Sequence, residues 1–151
     1  MRAEQDHINA TASNEDHYQY FIKVVQEASA ELALLKDRNN VIVDRYWMTT
    51  VVYHRVMGIA AKLEDMGEII MPDLTVYLSV SPEIQAARMI SRGMSPGDIR
   101  MYGCQHLLRQ AYEEVIAGRS DVIVIDTSAL SVDQVIRKVL DFVKLPLVRS
   151  D

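Results

Sequence analysis

At 151 residues the chain is long enough for one domain to bury its own core without metal or disulfide staples, and 49% hydrophobic with 25% charged residues is a globular makeup. No uncharged apolar stretch reaches the length of a membrane span and no basic-then-apolar leader opens the sequence, so membrane and secretory roles are set aside and a cytoplasmic location is expected. The net charge of −5 leaves no general footprint for nucleic acid, and Cys104, the sole cysteine, excludes an intrachain disulfide or a CxxC metal knuckle.

Residues 1–15 are polar and aperiodic and read as irregular chain. Over 16–36 apolar residues recur at Tyr20, Val24, Ala28, Leu32 and Leu35, which predicts a helix with that stripe facing inward. Asn39-Asn40 then turns the chain into Val41-Ile42-Val43, a β-branched run predicted as a buried strand, with Asp44 and Arg45 directly at its carboxyl end. A second helix is predicted over 46–66, carrying Trp47, Val51, Val52, Val56 and Ala60 inward and stopped by Gly67. Pro72-Asp73 opens a strand over 74–80, Ser81 caps a helix that starts at Pro82 and runs to Ser91, and Gly93, Pro96 and Gly97 break it. A helix over 99–116, a strand over 122–125 ending at Asp126, and a helix from Ser131 to Lys144 complete the series. Strands alternating with helices predict a single α/β domain, a parallel sheet covered by helices and joined by right-handed crossovers.

Open α/β sheets bind ligands outside the carboxyl ends of their strands, so an acid and an arginine at Asp44-Arg45 point to a phosphate site; an ordinary ion pair is the alternative. Arg88 and Arg92, four residues apart on one helix, project from one face toward the Gly-rich segment 93–97; a solvated charged face is the alternative there. Cys104-x-His106 suits no zinc site and the other histidines, at 7, 17 and 54, are scattered, so no structural metal is expected. Neither a G-x-S-x-G elbow nor a Cys/His pairing supports covalent catalysis.

Three segments, VIVDRYWMTTVVY at 41–53, MPDLTVYLSVSPEIQAARMISRG at 71–93 and VIVIDTSALSVDQVIRKVLDFV at 122–143, resemble three consecutive blocks of the thymidylate kinase family in order and spacing. The wording DRYW and PDL…VSPE…RGM is especially similar to the thymidylate-kinase-like domain of mitochondrial UMP-CMP kinases. The resemblance implies a nucleotide-kinase fold of the P-loop type, transfer of the ATP γ-phosphate to dTMP or a related pyrimidine nucleotide, and Mg²⁺ accompanying ATP. It further implies a nucleotide substrate as partner, a homodimer formed through helices, and a mitochondrial alternative to the cytoplasmic location for a complete protein.

Residue by residue, the resemblance implies that Arg45 bridges the acceptor monophosphate and the transferred phosphoryl group while Asp44 helps to position magnesium and phosphate. A planar guanidinium suits this because it can hold two phosphate oxygens at once. Thr49 and Tyr53 fall on the family's hydroxyl and aromatic positions, the ring crowding a 2′-hydroxyl, and Tyr20 and Phe21 fall on the aromatic that stacks on the acceptor base. Arg88 and Arg92 match the lid over ATP, with Arg92 at the reacting phosphates and Arg100 on the same segment. Asp126, Thr127 and Ser128 match a loop whose main chain lies against adenine. Core packing remains the alternative for Tyr20, Phe21 and Tyr53. Val24 stands where many thymidylate kinases carry the arginine that reads thymine, which leaves UMP, CMP and their deoxy forms open as acceptors.

No G-x-x-x-x-G-K-[ST] occurs, since the glycines stand at 58, 67, 93, 97, 103 and 118. In the family that phosphate loop follows a first strand N-terminal to the segments matched here, so Met1 reads as an internal position and the chain by itself is expected to show negligible ATP-dependent kinase activity. The same strand lies between 41–43 and 74–80 in the family, so those two are expected to pair directly, remain open edges or borrow a strand. A deoxynucleoside kinase, whose strand end more usually reads Glu-Arg-Ser, and a non-catalytic nucleotide-binding protein are the alternative functions.

Overall fold

Helices take up far more of the chain than strands do. The computed structural model describes residues 2–37 and 39–143. In chain order the elements are α1 (Arg2–Thr11), α2 (Asn14–Leu35), α3 (Trp47–Val56), a 3₁₀ turn (Leu63–Met66), β1 (Thr75–Ser79), α4 (Pro82–Arg92), α5 (Pro96–Arg100), α6 (Gln105–Ile116), β2 (Val122–Asp126) and α7 (Val132–Val143). They fall into two units, Met1–Met71 with Gly93–Ala117, and Pro72–Arg92 with Gly118–Asp151.

The first unit holds most of the core. Ser13 caps α2, its hydroxyl accepting from the Asp16 amide at 3.1 Å. The buried face of α2 is His17, Tyr18, Ile22, Val25 and Ser29, not the predicted stripe, whose members Tyr20, Val24, Ala28 and Leu32 are half-buried and Leu35 exposed. Polar residues enter this face because they are paired: Ser29 Oγ accepts from the Ile70 amide at 2.8 Å. Against α2 and α6, α3 buries Trp47, Met48, Val51 and Val52, while Leu108 and Ala111 of α6 and Met66 of the 3₁₀ turn close the packing.

The extents of the helices in this unit change at three places. Residues 2–11 form α1 instead of irregular chain, and a contact remote in sequence supports its C-terminal end: Arg100 donates from Nη1 to the Asn9 carbonyl and from Nη2 to the Ala12 carbonyl, both at 3.0 Å. The helix predicted over 46–66 stops at Val56, because Gly58 takes φ +89° and the Ile59 amide returns to the His54 carbonyl at 2.9 Å. Residues 99–116 likewise divide into α5 and α6 around Gly103, at φ +82°.

The run Val41-Ile42-Val43 is neither a strand nor buried, and Ile42 is 91% exposed. A β-branched run becomes a strand only with a ladder to join, and among the described residues the one ladder is that of β1 and β2. Asp44 and Arg45 therefore follow a loop instead of a strand.

In the second unit β1 and β2 run parallel, in register from Thr75 opposite Val122 to Ser79 opposite Asp126. The Thr75 amide bonds the Asp121 carbonyl at 2.7 Å and the Thr127 amide bonds the Ser79 carbonyl at 2.9 Å, extending the pairing at either end. At the start of α7, Ser131 and Gln134 bond reciprocally, amide to side chain in each direction. No helix among the described residues is long and apolar enough to cross a membrane.

Candidate functional site

A bend at residues 44–45, ahead of α3, sets the first cluster. Arg45 adopts φ +67°, a left-handed conformation uncommon for a residue with a β-carbon, and Tyr46 is extended before the helix begins at Trp47. From there the Arg45 guanidinium lies 5.8 Å from the centre of the Tyr53 ring, two turns along α3. Desolvation opposes its charge, but Tyr53 and Tyr112, a hydrogen bond with Tyr53 and the nearby Asp44 outweigh that and raise its pKa. Thr49 Oγ1 accepts a 3.0 Å hydrogen bond from the Tyr112 hydroxyl of α6. The cluster is thus Arg45, Thr49, Tyr53 and Tyr112, with Asp44 exposed beside it. Tyr112 was not among the sequence candidates; its partner lies 63 residues away and no local pattern announces it.

Tyr20 and Phe21, on α2, meet edge to face at 5.3 Å between ring centres. Phe21 also lies 4.7 Å from the His17 ring and 6.0 Å from the ring of His54, the residue after Tyr53. The Tyr20 phenol is raised by burial and by Glu4 and Glu27. Beneath these aromatics His17 and His54 are both buried and joined Nδ1 to Nε2 at 2.7 Å. Burial lowers both imidazoles, and that of His17 falls to about 4, with Arg100 and His54 adding to the effect. The pair is separated by 37 residues, and no local pattern in the sequence joins these scattered histidines.

The remaining candidates divide between the units. Arg88 of α4 donates to Thr127 twice, from Nη1 to Oγ1 at 3.2 Å and from Nη2 to the carbonyl at 2.9 Å. Thr127 is buried, and its hydroxyl donates in turn to the Ser79 carbonyl at 2.9 Å. Asp126 accepts from the Ser128 hydroxyl and amide, and those bonds hold its carboxyl below the usual carboxylate range. Arg92 ends α4 with its side chain exposed. Arg100, by contrast, belongs to the first unit and is bonded to Asn9, Ala12 and Asn14. Among the described residues no three His, Cys, Asp or Glu side chains gather as a metal-ligand group.

A parallel β pair with helical connections fits the class of α/β folds of the P-loop NTPase-like type that nucleotide kinases share. The thymidylate kinase family model matches residues 4–139, and the chain belongs to that family. It is 37% identical over 99 residues to a protein named cytidylate kinase from Fervidobacterium nodosum, covering 58% of this chain and 44% of that one. A protein named "Probable thymidylate kinase" from Archaeoglobus fulgidus is 37% identical over 90 residues, covering 56% and 46% respectively. A third, named cytidylate kinase, from Burkholderia vietnamiensis, is 33% identical over 102 residues, covering 60% and 44%. The chain thus matches less than half the length of each of these relatives. No solved structure matches it significantly.

Proposed function

We propose that these residues carry the acceptor side of a nucleoside monophosphate kinase whose acceptor is a pyrimidine nucleotide, dTMP or a relative, and that the chain by itself binds the acceptor with negligible phosphoryl transfer. The observation that carries the reading is the convergence of Arg45, Thr49, Tyr53 and Tyr112 at the start of α3. A cation, two phenols and a hydroxyl form a setting for a phosphate with a sugar alongside. Arg45 is the group for the acceptor phosphate and the spreading charge of transfer, and Tyr53 disfavours a 2′-hydroxyl. Tyr20 and Phe21, already meeting edge to face, offer a platform for the base.

Relatives named cytidylate and thymidylate kinase support the pyrimidine class and leave its member open, in keeping with Val24 at the position of the thymine-reading arginine. On the donor side we assign Arg92 to the ATP phosphates, Arg88 to holding the 126–128 loop against adenine, and Arg100 to a supporting role in the first unit. Mg²⁺ usually takes one or two carboxylates and completes its shell with waters and substrate phosphates, which the exposed Asp44 carboxylate fits. Bound with ATP, the ion would neutralise charge developing on the transferred group.

Calorimetric titration of the chain with dTMP, dCMP, UMP and CMP tests the assignment. Arg45→Ala is expected to weaken the best acceptor roughly 10-fold to 100-fold, the loss of a charge-assisted hydrogen bond. Binding unaltered by that change would remove Arg45 from the site. Turnover by the purified chain near the roughly 1–100 per second usual for kinases would refute the inactivity.

A further inference from the structure

The buried histidine pair poses a proton-counting problem. His54 Nδ1 faces the Thr50 carbonyl at 2.6 Å, so that nitrogen must carry hydrogen. His17 Nε2 faces Asn9 Oδ1 at 2.9 Å, which asks the same of it. If both rings are neutral, His17 Nδ1 and His54 Nε2 then present lone pairs to each other at 2.7 Å, and no hydrogen bond joins them. Two arrangements resolve this. Either the pair holds an additional proton between the rings, or the Asn9 carboxamide is turned so that its Nδ2 donates to His17 Nε2, leaving His17 Nδ1–H to donate to His54 Nε2.

The charged groups around the pair decide between them. From α5, Arg100 acts on both rings and disfavours a further positive charge. From α2, Glu15 favours charge on His54, but it is an exposed residue and weaker there than desolvation and Arg100. Tyr18, whose ring lies 4.7 Å from His54, is a neutral phenol donating to Asp65 of the 3₁₀ turn. Among the described residues α1 contributes the Asn9 amide, and α3 the Thr50 carbonyl, whose hydrogen bond favours charge on His54 and is outweighed by desolvation.

We propose that Asn9, His17 and His54 form a one-way relay of neutral groups, Asn9 Nδ2–H to His17, His17 Nδ1–H to His54 and His54 Nδ1–H to the Thr50 carbonyl, that latches α1 and α2 to α3 and is released by acid. One proton entering the relay forces Asn9 to turn round and sets an imidazolium beside Arg100. A second would drive N–H against N–H between the rings. Because Phe21 packs on both histidines, the latch also fixes one aromatic of the proposed base platform; that corollary rests on the acceptor reading, and the relay itself does not.

Nitrogen-15 NMR of the imidazoles tests the relay in the intact chain, with the exposed His7 and His106 replaced by Gln to leave two ring systems. At pH 7.5 both remaining rings are expected as neutral Nδ1–H tautomers, the reverse of the form free histidine prefers. An imidazolium signal, or an Nε2–H tautomer on either ring, would overturn the proposal. Should the double variant fail to fold, the same spectrum of the unaltered chain, assigned by selective labelling, serves. On acidification the amide protons of α1, corrected for intrinsic exchange, are expected to lose protection at the midpoint where the rings gain a proton. Protection of α1 unchanged through that midpoint would show that the pair is not a latch.

Discussion

The two units differ in what holds them. The first buries aromatic and aliphatic side chains from α2, α3, α6 and the 3₁₀ turn, with Val52 and Met66 fully enclosed. In the second, Ile125 and Thr127 are the buried residues among those described, and α4 and α7 bury none. Its sheet has two strands, and Leu78, Val124, Ile136 and Phe142 are about half-exposed or more. A two-stranded sheet with little apolar cover is marginal alone, so stability of this chain resides in the unit that carries the acceptor candidates, while the donor candidates Arg88 and Arg92 stand on the weaker one.

The largest expected effect follows from that asymmetry. Met66→Ala empties fully enclosed space and should cost the first unit about 2–5 kcal/mol, whereas Ile125→Val in the second should cost about 0.5–1.5 kcal/mol. Trp47, the only tryptophan, lies buried in the first unit and reports on it selectively. Denaturant unfolding followed by its fluorescence should shift strongly with the first substitution and little with the second. Equal shifts would mean that the units unfold together and that the contrast is one of packing alone. Hydrogen exchange sharpens it: amides of β1 and β2 should open more cheaply than those of α3.

Acid should narrow the difference between the units. All histidines, at 7, 17, 54 and 106, belong to the first unit. His17 falls to about 4 in the folded chain from an ordinary 6.5, so as pH drops the unfolded state takes up the proton first. Its contribution is complete above about 6.5 and drains away between there and about 4. Asp65, Asp121 and Asp126 are lowered below 3.8 by hydrogen bonds, so the stability they add is lost only at still lower pH. The Trp47 transition should therefore weaken between pH 6.5 and 4 before β1–β2 protection responds. A flat Trp47 midpoint across that window would contradict the histidine account.

What could be read from the sequence follows the same division. In the second unit, β1, α4, β2 and the start of α7 lie within a residue or two of their predicted bounds, because their signals are local: Pro82 after Ser81, the Ser131 cap, and short β-branched runs; the predicted end of α7 at Lys144 lies outside the described residues. The first unit is written in remote contacts. Arg100 lies 91 residues from Asn9, Tyr112 lies 63 from Thr49, and His54 lies 37 from His17. So α1, the Tyr112 contribution and the histidine pair are not legible in the sequence, and Val41-Ile42-Val43 has strand composition although no ladder among the described residues meets it. The proximity of Arg45 and Tyr53 could be anticipated, since both lie on one short segment leading into α3.

The smallest expected effect concerns the loop after β2. The Thr127 hydroxyl accepts from Arg88 and donates to the Ser79 carbonyl, but each of those partners also bonds Thr127 backbone, Arg88 through the carbonyl and Ser79 through the amide. Thr127→Val keeps the shape and the backbone bonds and removes only the hydroxyl. The cost should be about 0.5–1.5 kcal/mol, confined to the second unit. Exchange of the Thr127 amide should quicken while α3 stays unchanged. If α3 loosens as well, the units are coupled through this loop, and Arg88 would then serve the stability of both.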